Sequence, residues 1–359
     1  MTRPRPERIA ATSAAMSAGR SVATTAAGLT AALTALTLLA LLTLTGCSAG
    51  SSSGGTSAAR ASGSATSTGD GANTTPYDVR PLLRPANKYF GVALDKAPHS
   101  MAPVDDYTAM VGKRPNVLEY YAEWGAGFDA SGVRQAWQSG ALTLMSWEPF
   151  HTTLSDIAAG KSDAYIKEYA EAVRKLNLPV VIDFADEFNG GWENWGTKHV
   201  TPAQFVAAWR HIHDVFIDAG AGTVIWAWSP NVINPVKNVA LKPYYPGDAY
   251  VDWVGMVGYF TTSSDNAFSS VFGPTMTEVR TFAQQPFFII ETASEPGERR
   301  RADVQNLFAG VADDDDVLGF VWFNYRKRAD WRLEASPLAL AEFKQLAADG
   351  RFGFDVRKP

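Results

Sequence analysis

Cysteine is nearly absent from this chain, and charge is absent from one long stretch of it. Of 359 residues only Cys47 is a cysteine, which excludes an intrachain disulfide and any cysteine-rich zinc site. There is no basic excess either: 32 Lys and Arg stand against 37 Asp and Glu, a net charge of −5. Nucleic acid, which favours a basic surface, is not an expected partner. Histidines number five; His211 and His213 lie two apart in a helical stretch, share no face, and make no metal site. No GxSxG, HExxH or P-loop pattern occurs, and no Gly-rich loop follows the first strand. No metal or organic cofactor is implied. Asp313–Asp316 reads as a solvated loop run, since a calcium loop needs staggered ligands. Glu298-Arg299-Arg300-Arg301 reads as a helix cap or a solvent-facing run. Tryptophan, in contrast, is abundant, with 11 copies.

The uncharged stretch is residues 21–46, preceded by Arg3, Arg5, Arg8 and Arg20 against Glu7. A basic segment followed by an apolar run ending in small residues reads as a secretory signal. The run is long enough to span a bilayer, so an uncleaved anchor is its rival. Its end, Leu44-Thr45-Gly46-Cys47, resembles the lipobox of bacterial lipoproteins, in which the cysteine is acylated and becomes the mature N-terminus. The expectation is a signal peptide over 1–46 and a protein lipid-anchored at Cys47 on the outer face of a bacterial cytoplasmic membrane. Residues 47–77 are mostly Ser, Gly, Ala and Thr and read as a flexible linker. From Cys47 onward 28 basic residues face 36 acidic ones. That net charge would not draw the chain to anionic headgroups.

Residues 78–359 alternate strand and helix. Short apolar runs recur at Tyr89–Leu94, Val117–Tyr121, Leu142–Trp147, Pro179–Phe184, Thr223–Trp228, Trp253–Tyr259, Phe287–Ile290 and Leu318–Phe323. Between them Ile166, Tyr169, Ala170 and Val173 follow helical spacing, as do Phe205, Trp209, Ile212 and Phe216. Thr201-Pro202-Ala203-Gln204 reads as a capping box with proline at the first helical position, and Ser336-Pro337 opens the last helix. Strands apolar throughout suit a parallel sheet covered on both sides. Eight β-then-α units predict an α/β fold, a single (β/α)8 TIM barrel, with a doubly wound sheet as runner-up.

In such a barrel the chemistry lies at the C-terminal strand ends. The fourth strand runs into Asp183-Phe184-Ala185-Asp186-Glu187-Phe188-Asn189-Gly190-Gly191-Trp192-Glu193-Asn194-Trp195-Gly196. The seventh ends Ile290-Glu291-Thr292. Two carboxylates across a barrel mouth, framed by tryptophans, suit glycoside hydrolysis: one protonates the leaving oxygen, the other attacks the anomeric carbon or activates water.

The segment from Glu187 to Gly196 resembles the E-M-N-G-x-W-x-x-W-G signature of glycoside hydrolase family 26, with Phe188 for the usual Met. Trp147-Glu148-Pro149, Trp226-Ala227-Trp228-Ser229-Pro230-Asn231, Val251-Asp252-Trp253, Tyr259, Ile290-Glu291-Thr292, Trp322-Phe323-Asn324 and Asp330-Trp331-Arg332 follow in the family's order, over roughly residues 86–348. The resemblance implies a barrel of retaining enzymes acting on β-mannans, less often on mixed-linkage β-glucans or β-1,3-xylans. It implies Glu187 as acid/base, Glu291 as nucleophile and Tyr259 as hydrogen-bond donor to Glu291. It departs at Asp186, where the family usually has His, at Asp183, and at Phe260 in place of a common Asn.

Asp186, Asn189, Trp192, Trp195, Tyr259, Trp147, Trp322 and Trp124 are the expected substrate-binding residues. Trp228 and Trp331 also fall at strand ends, whereas Trp137, Trp209, Trp226 and Trp253 read as core. The expected protein is a lipid-tethered, monomeric, retaining endo-β-glycanase, most readily a β-1,4-mannanase. A mixed-linkage β-glucanase, an enzyme processing the cell's own exopolysaccharide, and a glycan-binding barrel with weak or lost activity are the alternatives.

Overall fold

The computed structural model describes residues 75–359 except 234, 235, 237, 263, 264 and 266. The expected signal peptide, Cys47 and all but the end of the expected linker lie outside the described residues.

Eight strands form one closed, wholly parallel barrel in chain order: β1 (Tyr89–Ala93), β2 (Val117–Glu123), β3 (Leu142–Glu148), β4 (Val180–Phe184), β5 (Val224–Trp228), β6 (Trp253–Val257), β7 (Phe287–Thr292) and β8 (Val317–Phe323), with β8 pairing β1. This is the (β/α)8 barrel, and the doubly wound alternative falls away. β6 stops two residues short of the expected end, because the Gly258 N–H turns to the Glu291 carbonyl at 3.0 Å. β2, β3 and β7 instead run on to Glu123, Glu148 and Thr292.

The connecting layer comprises α1 (Arg80–Leu83), α2 (Ala102–Val111), α3 (Ala130–Gln138), α4 (Leu154–Ala158), α5 (Asp163–Leu176), α6 (Pro202–Asp218), α7 (Phe268–Val271), α8 (Gly273–Val279), α9 (Arg300–Asp313) and α10 (Pro337–Ala347). The Thr201 capping box at α6 is formed in both directions, and Ser336 accepts from Ala339 N–H at the start of α10. Each such cap satisfies helix-end donors that would otherwise lack partners.

Alternate residues of a strand face opposite sides. In β3, Ser146 faces inward and donates to Glu119 of β2 at 3.1 Å, while its neighbour Trp147 faces outward and stacks on Tyr169 of α5. In β8, Trp322 faces outward against Phe343 of α10. The core is therefore in two parts: an aromatic layer between strands and helices, and an interior that becomes polar toward the strands' C-terminal ends.

Two expectations about charge runs change. Arg300 is buried at the start of α9, where it donates to the main-chain oxygens of Asp330 and Trp331 at 3.2 and 2.6 Å. Asp316 is not a free loop charge: Arg280 donates from Nε and Nη2 to its Oδ2, and Arg84 lies 3.5 Å from its Oδ1.

Candidate active site

The end of β4 is a tight, strained turn. Ala185 and Glu187 both have left-handed backbones, φ +54° and +51°, a conformation that costs a non-glycine residue about 1–3 kcal/mol. The turn is over-determined by hydrogen bonds: Ala185 N–H reaches Trp147 O at 3.1 Å, and Glu187 N–H reaches Ser229 O at 2.9 Å. The Trp195 indole holds the Asp186 carbonyl at 2.7 Å. The loop then folds on itself at Gly190 and Gly196. A Cβ on Gly190 would sit 2.4 Å from the Trp192 ring, and one on Gly196 2.3 Å from the Gly190 carbonyl. The glycines let Trp192 lie flat against the turn.

Glu187 and Glu291 are each 8% exposed, and each is held by two neutral donors. Glu187 accepts from the Asn231 amide and, at 3.2 Å, from the Trp192 indole. Glu291, on β7, accepts from the hydroxyls of Tyr121 and Tyr259. Such donors fix the orientation of both carboxyl groups, and each bond strengthens when its acceptor is ionised.

Further carboxyls lie among them. Asp183 is fully buried, with the Ser229 hydroxyl 2.6 Å from both its oxygens. Burial holds its carboxyl well above the usual carboxylate range, and the charges of Glu291 and Glu187 push the same way. Asp186 is raised likewise, by burial first and then by Asp183, Glu148, Glu187 and Glu291. One of its oxygens, Oδ1, is enclosed and accepts no hydrogen bond. Asp186 thus lies within electrostatic reach of the other carboxyls, while the residue as a whole is half-buried. Burial and the Glu291 carboxylate also keep the Tyr259 phenol well above its ordinary value, so it stays a donor.

Several expected contacts are corrected. Trp147 and Trp322 are 0% exposed and Trp195 is 1% exposed, so none offers a face to a sugar. Their indole N–H groups go to Tyr165 Oη, Trp331 O and Asp186 O. Trp124 is partly exposed but stacks on Trp147 at 4.7 Å, as part of the outward aromatic layer. Asn189 is wholly buried and spends its amide on the Asn231 backbone, accepting from N–H and donating to C=O, both at 2.8 Å. It positions Asn231 and does not face the cleft. Trp228 is buried, its indole on Tyr244 O at 3.2 Å, while the buried Trp331 ring packs 4.8 Å from that of Tyr259.

Tyr121, Asn231 and the Ser229–Asp183 pair were not anticipated. Tyr121 had a signal: it stands two residues after Glu119 in an otherwise apolar run, so both share the inner face of β2. Asn231 had none, because only the Asn189 clamp aims it at Glu187. Among the described residues no group of three or more His, Cys, Asp or Glu is disposed to hold a metal ion.

Comparison with known proteins agrees with this layout. The model of "Glycosyl hydrolase family 26" matches residues 143–284, from β3 to just before β7, a span that contains Glu187 but not Glu291. The chain is 28% identical over 267 residues to Endoglucanase H of Acetivibrio thermocellus, covering 70% of this chain and 29% of that protein. It is 23% identical over 272 residues to the beta-1,3-xylanase TXYA of a Vibrio species, covering 65% and 56%. It thus spans less than two thirds of the length of either relative. A modular endo-beta-1,4-mannanase from Cellulomonas fimi shares the fold with a TM-score of 0.59 at 18% identity, over 76% of this chain and 74% of that one. The signature loop that carries Glu187, the order of strand-end motifs and the matching segment 143–284 make this chain similar to glycosyl hydrolase family 26.

Proposed function

We propose that the barrel is a retaining endo-β-glycanase, with a β-1,4-mannan backbone as its first candidate substrate and a β-glucan as its second. The observation that carries this reading is the pair Glu187 and Glu291, at the ends of β4 and β7 across one mouth, each nearly enclosed and each gripped by two neutral donors. Glu291, oriented by Tyr121 and Tyr259, attacks the anomeric carbon and forms a glycosyl-enzyme. Glu187 gives its proton to the departing glycosidic oxygen and, as a carboxylate, then takes one from the water that releases the sugar. Trp192, partly exposed beside Glu187, supplies the aromatic face nearest the bond to be cut. The mannanase of similar fold supports the first substrate, and the similarity to Endoglucanase H supports the second.

The test is a panel of β-mannan, mixed-linkage β-glucan, β-1,3-xylan and cellulose, read by release of reducing ends. Proton NMR of the first product should show the anomeric configuration retained. Glu291→Gln and Glu187→Gln should each abolish turnover of the polymer; activity surviving in both would overturn the mechanism. We further propose that Cys47 carries the lipid that tethers the enzyme outside the cytoplasmic membrane. Cys47→Ala should release it into the medium, whereas retention in the membrane fraction would indicate an uncleaved anchor.

A further inference from the structure

The loop after β8 carries charge opposite to that of the chain. Within residues 325–332 stand Arg326, Lys327, Arg328 and Arg332, against Asp330 alone, in a protein of net charge −5. Arg332 is neutralised by Asp330 at 2.7 Å. Arg326 and Arg328 are exposed, and among the described residues neither enters an ion pair.

This loop is a fixed hairpin. Arg326 and Asp330 pair as antiparallel residues, Trp331 N–H reaches Tyr325 O at 3.0 Å, and the buried Arg300 grips the carbonyls of Asp330 and Trp331 from α9. Its base rests on both donors to the proposed nucleophile. The Trp331 ring lies 4.8 Å from Tyr259, and the Tyr325 ring 6.5 Å from Tyr121. The Lys327 ammonium lies 5.9 Å from the Tyr325 ring. The cationic loop therefore leaves the C-terminal end of β8, on the face of the barrel that carries Glu291, with its base against the two tyrosines that donate to that carboxylate. A neutral glycan offers such a loop only hydroxyl and ether acceptors, while planar carboxylates and tetrahedral ester anions give exposed arginines stronger, charge-assisted hydrogen bonds.

We propose that the substrate is a β-glycan bearing anionic substituents, recognised through Arg326 and Arg328 on the rim beside Glu291. This rests on the reading of the barrel mouth as a glycan cleft. The shared chemistry is an anionic group on a sugar, whether a carboxylate or a sulfate ester. An acidic polymer of this kind fits an enzyme held at the cell's own surface.

The test uses detergent-solubilised full-length protein with carboxymethyl, sulfated and hydroxyethyl derivatives of β-1,4-glucomannan, matched in length. Both binding and initial rates are measured. One or both anionic derivatives should bind roughly three- to tenfold more tightly than the neutral one, the size expected of two exposed charge contacts. The carboxymethyl and sulfated arms distinguish the two anions. The advantage should vanish in Arg326→Gln/Arg328→Gln and in ~0.5 M NaCl, and persist in Arg326→Lys/Arg328→Lys. Equal binding of all three derivatives, or an advantage untouched by the glutamine pair, would overturn the inference. Anionic preference in binding with no hydrolysis of any derivative would uphold it while removing the glycanase reading.

Discussion

The molecule uses aromatic side chains in two places and to two ends. In the layer between barrel and helices, Trp147, Trp209, Trp228, Trp253 and Trp322 are buried and stacked, and their indole N–H groups go to a tyrosine hydroxyl or main-chain carbonyls. At the mouth, Trp192, Tyr121 and Tyr259 aim the same kinds of polar atom at two carboxylates. A buried indole or phenol needs a hydrogen-bond partner wherever it sits. What separates structure from chemistry here is the partner, not the ring.

The contrast is sharp enough to break. Trp147→Ala should show the largest effect: loss of an enclosed ring stacked on Trp124 and Tyr169 costs about 3–5 kcal/mol, read as a fall in the urea midpoint. Activity per folded molecule should change far less. Tyr121→Phe should do the reverse. It removes one hydroxyl from Glu291 and should lower kcat/KM by roughly 10- to 100-fold, since a hydrogen bond to a charged group contributes about 1.5–3 kcal/mol. Its melting temperature should barely move; an unchanged rate would remove Tyr121 from the site.

A smaller effect distinguishes two tryptophans of one loop. Trp192→Phe and Trp195→Phe each delete one indole N–H. Only the first should shift the alkaline limb of the pH–rate profile, upward, because losing a donor to the Glu187 carboxylate favours its protonated form. Trp195→Phe should act through stability alone. Equal shifts in both would erase the distinction.

The smallest effect concerns Asp183. Below about pH 4 an Asp is protonated in folded and unfolded chains alike. As pH rises, the unfolded chain ionises freely while the buried carboxyl resists, so the folded state loses relative stability. Asp183→Asn should therefore raise the melting temperature at pH 7, with a gain that shrinks as the pH falls toward 4. A gain independent of pH would mean that the carboxyl is not held protonated.

Strand positions were legible because each strand is an apolar run bounded by polar turns, and a barrel of parallel strands needs such runs. Glu291 was legible because a carboxylate directly after four apolar residues is out of place unless used, and Glu187 because it opens the Trp- and Gly-rich loop after β4. The tryptophans were not. Trp147 and Trp322 stand at strand ends just as a sugar-stacking residue would, yet one step of strand parity turns them from the mouth to the helix layer. Asn189 was misread for a related reason: its residue type suits a polar cleft, but whether its amide meets substrate or backbone depends on a loop 42 positions away.

The sequence by itself determined the barrel, the two strand ends that carry Glu187 and Glu291, and the likeness to glycosyl hydrolase family 26, because these follow from local pattern and spacing. Only the tertiary structure decided which side chains those carboxylates meet. Tyr121 comes from β2, Asn231 from the segment after β5 and Tyr259 from the one after β6, and closure of the sheet brings them to one mouth. The barrel also decided that Asp183 shares its enclosure with the glutamates, since burial is a property of the packed chain and not of the residue.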